Sequence, residues 1–466
     1  MSHIGFRTAL VALVATTAPL AAPLPAQDTR TVVEPRIPGA CATLAAALVP
    51  VGDSTLAAAD EGRLDTDRIQ RAIDGCGAGK AVVLRGDAAR RAFLSGPLRL
   101  RAGVTLVVDS GATLFASRDP HVFEVSPGSC GVLAPSNRGC RPLISAERAA
   151  HAGVMGAGTI DGRGWATLLD RGADKGVSWW DLAQQARNTK LNQNCPRLVV
   201  ASGSDDFTLY RLTLRNSPNF HVVFEKGDGF TAWGVRIYTP QPNARNTDGI
   251  DPSAARNVTI TRSWILTGDD NVALKGGNGP MSHTTVSHSH FYRGHGMSIG
   301  SETNAGVDHL YVTDLTVDGA DNGLRIKSNA SRGGLVTHVT YENVCIRKTK
   351  EPILMDTHYT ASPETTGTLV PVFRDVALRG VHVQDGGRIT LDGYDATRRL
   401  GMTFDGVTVD DVAKVKWQAS HADVTLGAGG TNLLVAGDDV RVQGTPTPPP
   451  NGPDACAAKF APFPLP

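Results

Sequence analysis

Between about residues 200 and 360 the apolar positions fall into short strand-like runs. Each run is closed by a polar turn and followed by a second, shorter apolar run. DFTLYRLTL is followed by FHVVF, NVTITRSWI by DNVALK, HTTVSHSHF by GMSIGS, HLYVTDLTV by NGLRIK, and HVTYENVCI by PILMD. Comparable points are Val222, Ile250, Val272, Met297, Leu324 and Ile353, at steps of 28, 22, 25, 27 and 29 residues. Strand-rich repeats of about 20–50 residues mark a stacked architecture. β-Branched side chains alternate within the runs, and no amphipathic helix intervenes. The pattern predicts an all-β chain, a right-handed parallel β-helix in one solenoid domain. Each repeat is one coil, and coils lie about 4.8 Å apart. A β-propeller fits less well, because its blades need about 40 or more residues and antiparallel hairpins.

A solenoid has two open ends to cover. In DTDRIQRAIDGC, Ile69, Ala72 and Ile73 recur at helical spacing, which predicts a short N-terminal capping helix. Asp65 or Thr66 is the expected N-cap. The regular fold is expected to end near Gln443, with residues 444–466 as a Pro-rich tail. Residues 1–26 read as a signal peptide: a short apolar run near Ala9–Ala15, little charge, and a small-residue stretch ending at Ala26. That run is too short for a membrane helix, and no later stretch reaches the ~18 apolar residues one needs. The expected catalytic domain is 27–443, in a secreted (extracellular or periplasmic) monomer.

Composition narrows the function. Lys+Arg is 46 against Asp+Glu 45 over 466 residues, which excludes a strongly basic nucleic-acid binder. Losing the leader removes Arg7 and leaves the two signs balanced, so an anionic partner must be held by a local basic cluster. Glycine, at 51 residues, is frequent without a collagen-like period and suits many turns. The seven cysteines contain no C-x-x-C pair, which argues against a zinc or redox motif. In an exported protein they favour disulfides, with Cys130–Cys140 expected first and Cys41–Cys76 second. Cys195, Cys345 and Cys456 leave an odd count.

Four polar phrases interrupt the repeats at similar points: Asn246-Thr247-Asp248-Gly249, Gly268-Asp269-Asp270-Asn271, Gly294-His295-Gly296 and Arg325-Ile326-Lys327. Taken singly, each is an ordinary turn, loop or strand face. Taken in order and in register, stacking brings Asp248, Asp269, Asp270, His295, Arg325 and Lys327 side by side. Like charges so close push one carboxyl pKa upward. A protonated acid beside ionised carboxylates is what glycosidic hydrolysis requires.

The set NTD, GDD, GHG and RIK resembles the polygalacturonases, family 28 of the glycoside hydrolases, and most of all the bacterial endopolygalacturonases. Flanking phrases extend the resemblance: GAGTIDGRG at 156–164, SWWDL at 178–182, NSPNFHV at 216–222, NTDGIDP at 246–252, SGPL at 95–98 and PILMDTHYT at 352–360. It spans about Cys41 to residue 440. The resemblance implies a parallel β-helix and inverting hydrolysis of the α-1,4 linkages of polygalacturonic acid, the smooth region of pectin. Residue by residue it implies Asp269 as general acid and Asp248 and Asp270 as the carboxylates that hold and deprotonate water. His295 would tune the acid. Arg325 and Lys327 would hold a substrate carboxylate, Tyr359 would contact substrate, and Asn246 would orient neighbouring groups or a sugar. Hydrolysis needs no metal or cofactor, and no zinc-type His/carboxylate spacing appears; with balanced charge and no membrane-length apolar run, no metal, nucleic-acid or membrane partner is expected. The tail with Cys456 lies outside the family pattern.

Two rival functions share the architecture. A pectate lyase would hold Ca²⁺ with the carboxylates and eliminate instead of hydrolysing. A non-catalytic β-helix would only bind polysaccharide. Exo-action, or another pectin-directed specificity of the same family, also stays open.

Overall fold

The computed structural model describes residues 27–52, 54–170, 176–241, 244–361, 364–447 and 456–465. The expected signal peptide, 1–26, lies outside the described residues.

The chain coils as the expected right-handed parallel β-helix. Nearly all strand pairs are parallel, and each strand pairs with its equivalents one coil before and one coil after. Every full coil contributes a strand to each of three faces. The face that matters for function runs through Val199–Ser202, Val222–Glu225, Ile250–Ser253, Val272–Leu274, Met297–Gly300, Asn322–Lys327, Glu351–Asp356 and Gly387–Asp392. Its register matches the repeat read from the sequence. Val222 pairs with Ile250, Ile250 with Val272, Val272 with Met297, Met297 with Leu324, and Leu324 with Ile353. From Ile250 to Ile353 these side chains are fully buried, and they stack in one apolar column. That column explains the periodicity, since a slip of one residue would turn it out to solvent.

The helix read near residue 70 is Thr66–Asp74, with Ile69 and Ile73 fully buried in the main core. Its start differs from the expectation. Neither Asp65 nor Thr66 caps it through a side chain. The Asp65 carboxylate accepts from the Leu94 amide and from Arg68, and Thr66 Oγ1 accepts from the Gly96 amide. Both side chains are spent tying the helix to the strand beneath it. A second helix, Trp179–Thr189, has no counterpart in the predicted strand repeat. Ser178 and Asp181 form a reciprocal capping box, and Trp179 is fully buried.

Cys41–Cys76 and Cys130–Cys140 are bonded as expected, and a third disulfide joins Cys345 to Cys456 across 111 residues. Cys195 is buried, and its thiol donates to the Trp179 carbonyl at 3.6 Å. The third disulfide anchors the tail segment 456–465 along the solenoid. Phe460 lies under Arg347, Phe463 packs between Tyr238 and Tyr292, and Lys459 reaches Asp314 at 3.0 Å. Cross-linking so long a loop stabilises chiefly by restricting the unfolded chain. Cys456→Ser is expected to cost about 2–4 kcal/mol, read as a lower urea midpoint with hydrolytic activity retained. An unchanged midpoint would show that the tail contributes nothing to stability.

Candidate active site

The stacking register builds the site. Asp248, Asp270 and His295 each stand two residues before a member of the apolar column, Ile250, Val272 and Met297. They therefore emerge at the same corner of three successive coils. Arg325 stands one residue after Leu324, on the outward face of its strand and directly opposite Ser298. Lys327 follows two residues later, opposite Gly300. Gly-His-Gly has a steric cause. Gly294 and Gly296 sit at φ 62° and 69°, and a Cβ at either would approach a carbonyl oxygen of an adjacent coil to 2.3 or 2.2 Å. Only glycines let His295 sit so close to the Asp269 coil.

A cleft of about 780 Å³ contains Asn246, Asp248, Asp269, Asp270, His295, Lys327 and Tyr359. Arg325 completes the set from its floor through Asp270. All eight predicted residues are thus together. His295 Nδ1 lies 3.1 Å from Asp269 Oδ1 and 3.6 Å from Asp270 Oδ1. Asp270 is the most heavily engaged: Ser298 and Arg325 donate to Oδ1 at 2.8 and 3.0 Å, and Lys327 to Oδ2 at 2.7 Å. The Asn246 amide donates to Asp269 Oδ2 at 3.2 Å, while the Asn246 side-chain oxygen accepts from Gln193 at 2.8 Å. The Tyr359 ring lies 5.5 Å from both the Arg325 and the Lys327 cationic groups.

The three carboxyls have different electrostatic fates. Burial raises Asp248 well above the carboxylate range, and the charges of Asp251 and Asp269 push it further. Its Oδ1 is buried without a hydrogen-bond partner. For Asp270, burial is outweighed by Lys327, His295 and Arg325, and the group is held well below its ordinary value. For Asp269, burial is outweighed by the hydrogen bond and charge of His295, and the pKa is lowered. Burial would depress His295, but its hydrogen bonds to Asp269 and Asp270 lift it to about 9. The expectation of one raised carboxyl is therefore met at Asp248, whereas Asp269 is ionised and His295 carries the proton beside it.

Sequence reasoning missed a second layer. Lys275 Nζ lies 2.5 Å from Asp251 and 3.7 Å from Asp248, and 4.5 Å from the centre of the Phe220 ring. Lys275, Phe220 and Glu302 all line the cleft. NTDGIDP displayed Asp251, but its pairing with Lys275 exists only across coils. Asp269, Asp270 and His295 offer donor atoms within 4.8 Å of one another. Yet both oxygens of Asp270 are taken by Ser298, Arg325 and Lys327, and Ca²⁺ demands six to eight oxygen ligands. The donor set suits proton transfer, not a calcium-dependent elimination. A separate group, Asp308, His309 and His338, converges on another part of the surface, although the sequence alone displays no such cluster.

A family profile, Glycosyl hydrolases family 28, matches residues 91–428. The chain belongs to this family. It is 44% identical to an endo-polygalacturonase of Pectobacterium carotovorum subsp. carotovorum, covering 86% of this chain and 93% of that relative. It is 39% identical to a polygalacturonase of Ralstonia solanacearum, covering 89% of each. The solved polygalacturonase from Erwinia carotovora ssp. carotovora superposes with a TM-score of 0.76 at 42% identity, over 85% of this chain and 99% of that one. In this family 28 protein the matched span holds every site residue named above.

The His295 ring is expected to titrate near 9 by NMR, and to fall towards about 6.5 in Asp269→Asn. Because the folded pKa is raised, the stability it contributes is full below about 6.5 and is lost as pH rises through about 9. A wild-type ring titrating at an ordinary value would contradict the Asp269–His295 pair.

Proposed function

We infer that the protein is an endo-acting polygalacturonase that hydrolyses the α-1,4 linkages of polygalacturonic acid. The observation that carries this reading is the convergence of Asp248, Asp269 and Asp270 from two adjacent coils, clamped by Arg325 and Lys327, in an open cleft of a family 28 chain. Endo-action is supported by the 44% identity to an endo-polygalacturonase over most of both chains.

The mechanism is proposed as inversion. Asp270, held ionised by two cations, is the strongest candidate to orient and deprotonate the attacking water, with Asp248 holding that water from the neighbouring coil. Asp269 protonates the leaving oxygen. Its proton comes from His295, whose Nδ1 is 3.1 Å away. A substrate carboxylate brought into the cleft raises both pKa values, so the proton stays within the His295–Asp269 pair and is passed through Asp269 to the leaving oxygen. Arg325 and Lys327 meet a galacturonate carboxylate at the bond-breaking subsites, where bidentate and point-charge cations suit a polyanion. Tyr359 lies against both cations and flanks the sugar. The Asn246 backbone N–H orients Asp269.

Export is part of the proposal, with cleavage after Ala26. Asp28, two residues on, is buried and accepts from Thr259 at 2.7 Å, so the mature N-terminus would lie against the solenoid. Among the described residues no helix is long and apolar enough to cross a membrane. The working form is proposed to be a monomer.

Asp269→Asn, Asp248→Asn and Asp270→Asn are each expected to lower kcat on polygalacturonate by about 10²–10⁴, the usual size of acid–base contributions, with unchanged circular dichroism. An active Asp269→Asn protein would remove the acid assignment. Lys327→Ala is expected to raise KM as well as lower kcat, since Lys327 serves both Asp270 and substrate. Viscosity of polygalacturonate should collapse while few reducing ends have appeared. Parallel loss of viscosity and gain of reducing ends would mean exo-action instead.

A further inference from the structure

Past His295 the catalytic cleft opens into a second one of about 530 Å³, lined by Lys350, Arg388, Lys414 and Lys416 with Asp321 and Glu351. All four cations are exposed, and they lie on three coils successively further towards the C-terminal end, with Lys414 and Lys416 together on the last. Arg388 and Lys416 are directly opposite one another on neighbouring strands. Like charges in that position destabilise a sheet unless an anion shares them. Lys350 pairs with Asp321 at 2.6 Å and Lys414 with Asp411 at 2.8 Å, and Arg388 contacts Glu351. Such exposed pairs hold weakly and exchange readily for another anion. The chain as a whole is balanced, with 46 basic and 45 acidic residues, so this excess is local.

We propose that Lys350, Arg388, Lys414 and Lys416 form a distal track that binds successive carboxylates of a polyanionic sugar chain leaving the catalytic cleft. This rests on the reading of the cleft as a polygalacturonate site and extends it. The register fixes the reach: Val272, Met297, Leu324, Ile353, Ile389 and Trp417 are consecutive partners. From the Asp270 coil to Lys416 is therefore five strand spacings, about 24 Å. A short oligomer that fills only the subsites around the broken bond does not extend that far, whereas a polymer does. The track favours long substrates and does so through screened charge, so the preference weakens in salt.

The test is a triple variant, Arg388→Gln, Lys414→Gln and Lys416→Gln, with the single Lys416→Gln as a milder companion. Values of kcat/KM are measured on polygalacturonate and on tetragalacturonate, at low and high salt. The polymer-to-tetramer ratio should fall about tenfold in the triple variant, the combined weight of three screened surface contacts. It should also lose most of its salt dependence, and the single variant should fall between. An unchanged ratio in an active enzyme, or an equal loss on both substrates, would overturn the track and leave the catalytic reading standing. A wild-type protein that cleaves neither substrate would overturn both.

Discussion

Everything in this protein depends on the in-register pairing of parallel strands along one face. The fully buried column through Ile250, Val272, Met297, Leu324 and Ile353 fixes each coil against the next. Once it is fixed, any residue at a given offset from the column repeats at about one strand spacing. Asp248, Asp270 and His295 share one offset, and Arg325 and Lys327 project from the same face. Catalytic geometry here is a property of the solenoid's pitch and needs no elaborate loop. The same device carries the cations at Lys350, Arg388, Lys414 and Lys416 beyond the site.

The fold also decides where the protons rest. Three carboxyls in one cleft cannot all ionise cheaply, and the structure separates them by partner. Asp270 has two cations and a hydroxyl, Asp269 has an imidazolium, and Asp248 has neither in direct contact. Lys275 divides its charge between Asp251, which it touches, and Asp248, which it approaches more loosely. The result is one carboxyl held low by two cations, one held low by the imidazole beside it, and a third raised by burial. A neutral chain with one cationic seam is suited to a polyanion that must bind, be cut and leave.

Much of this was legible in the sequence because the repeat is written in apolar residues. The six equivalent points chosen from the pattern are the partners found in the sheet, and the four polar phrases fall together for that reason. What escaped has physical causes. Lys275 follows a buried leucine at a strand end and looks like an ordinary flank until the neighbouring coil supplies Asp251. The Cys345–Cys456 bond has no local signature, because nothing in the sequence links residues 111 apart. The helix Trp179–Thr189 carries one short local signal, Ser178 and Asp181 at capping-box spacing, against a strand repeat that runs over many coils. The proton on His295 instead of Asp269 depends on burial and distances that no spacing encodes.

On the proposed mechanism, Asp269 protonates the leaving oxygen while Asp270, with Asp248 from the neighbouring coil, delivers water to the opposite side of the same linkage. NMR of polygalacturonate cleavage, followed before the anomers interconvert, tests this most directly. The account predicts that the new reducing ends appear first as the β-anomer, by inversion of the α-linkage. Ends that appear first as the α-anomer would mean retention through a covalent intermediate, and would contradict it.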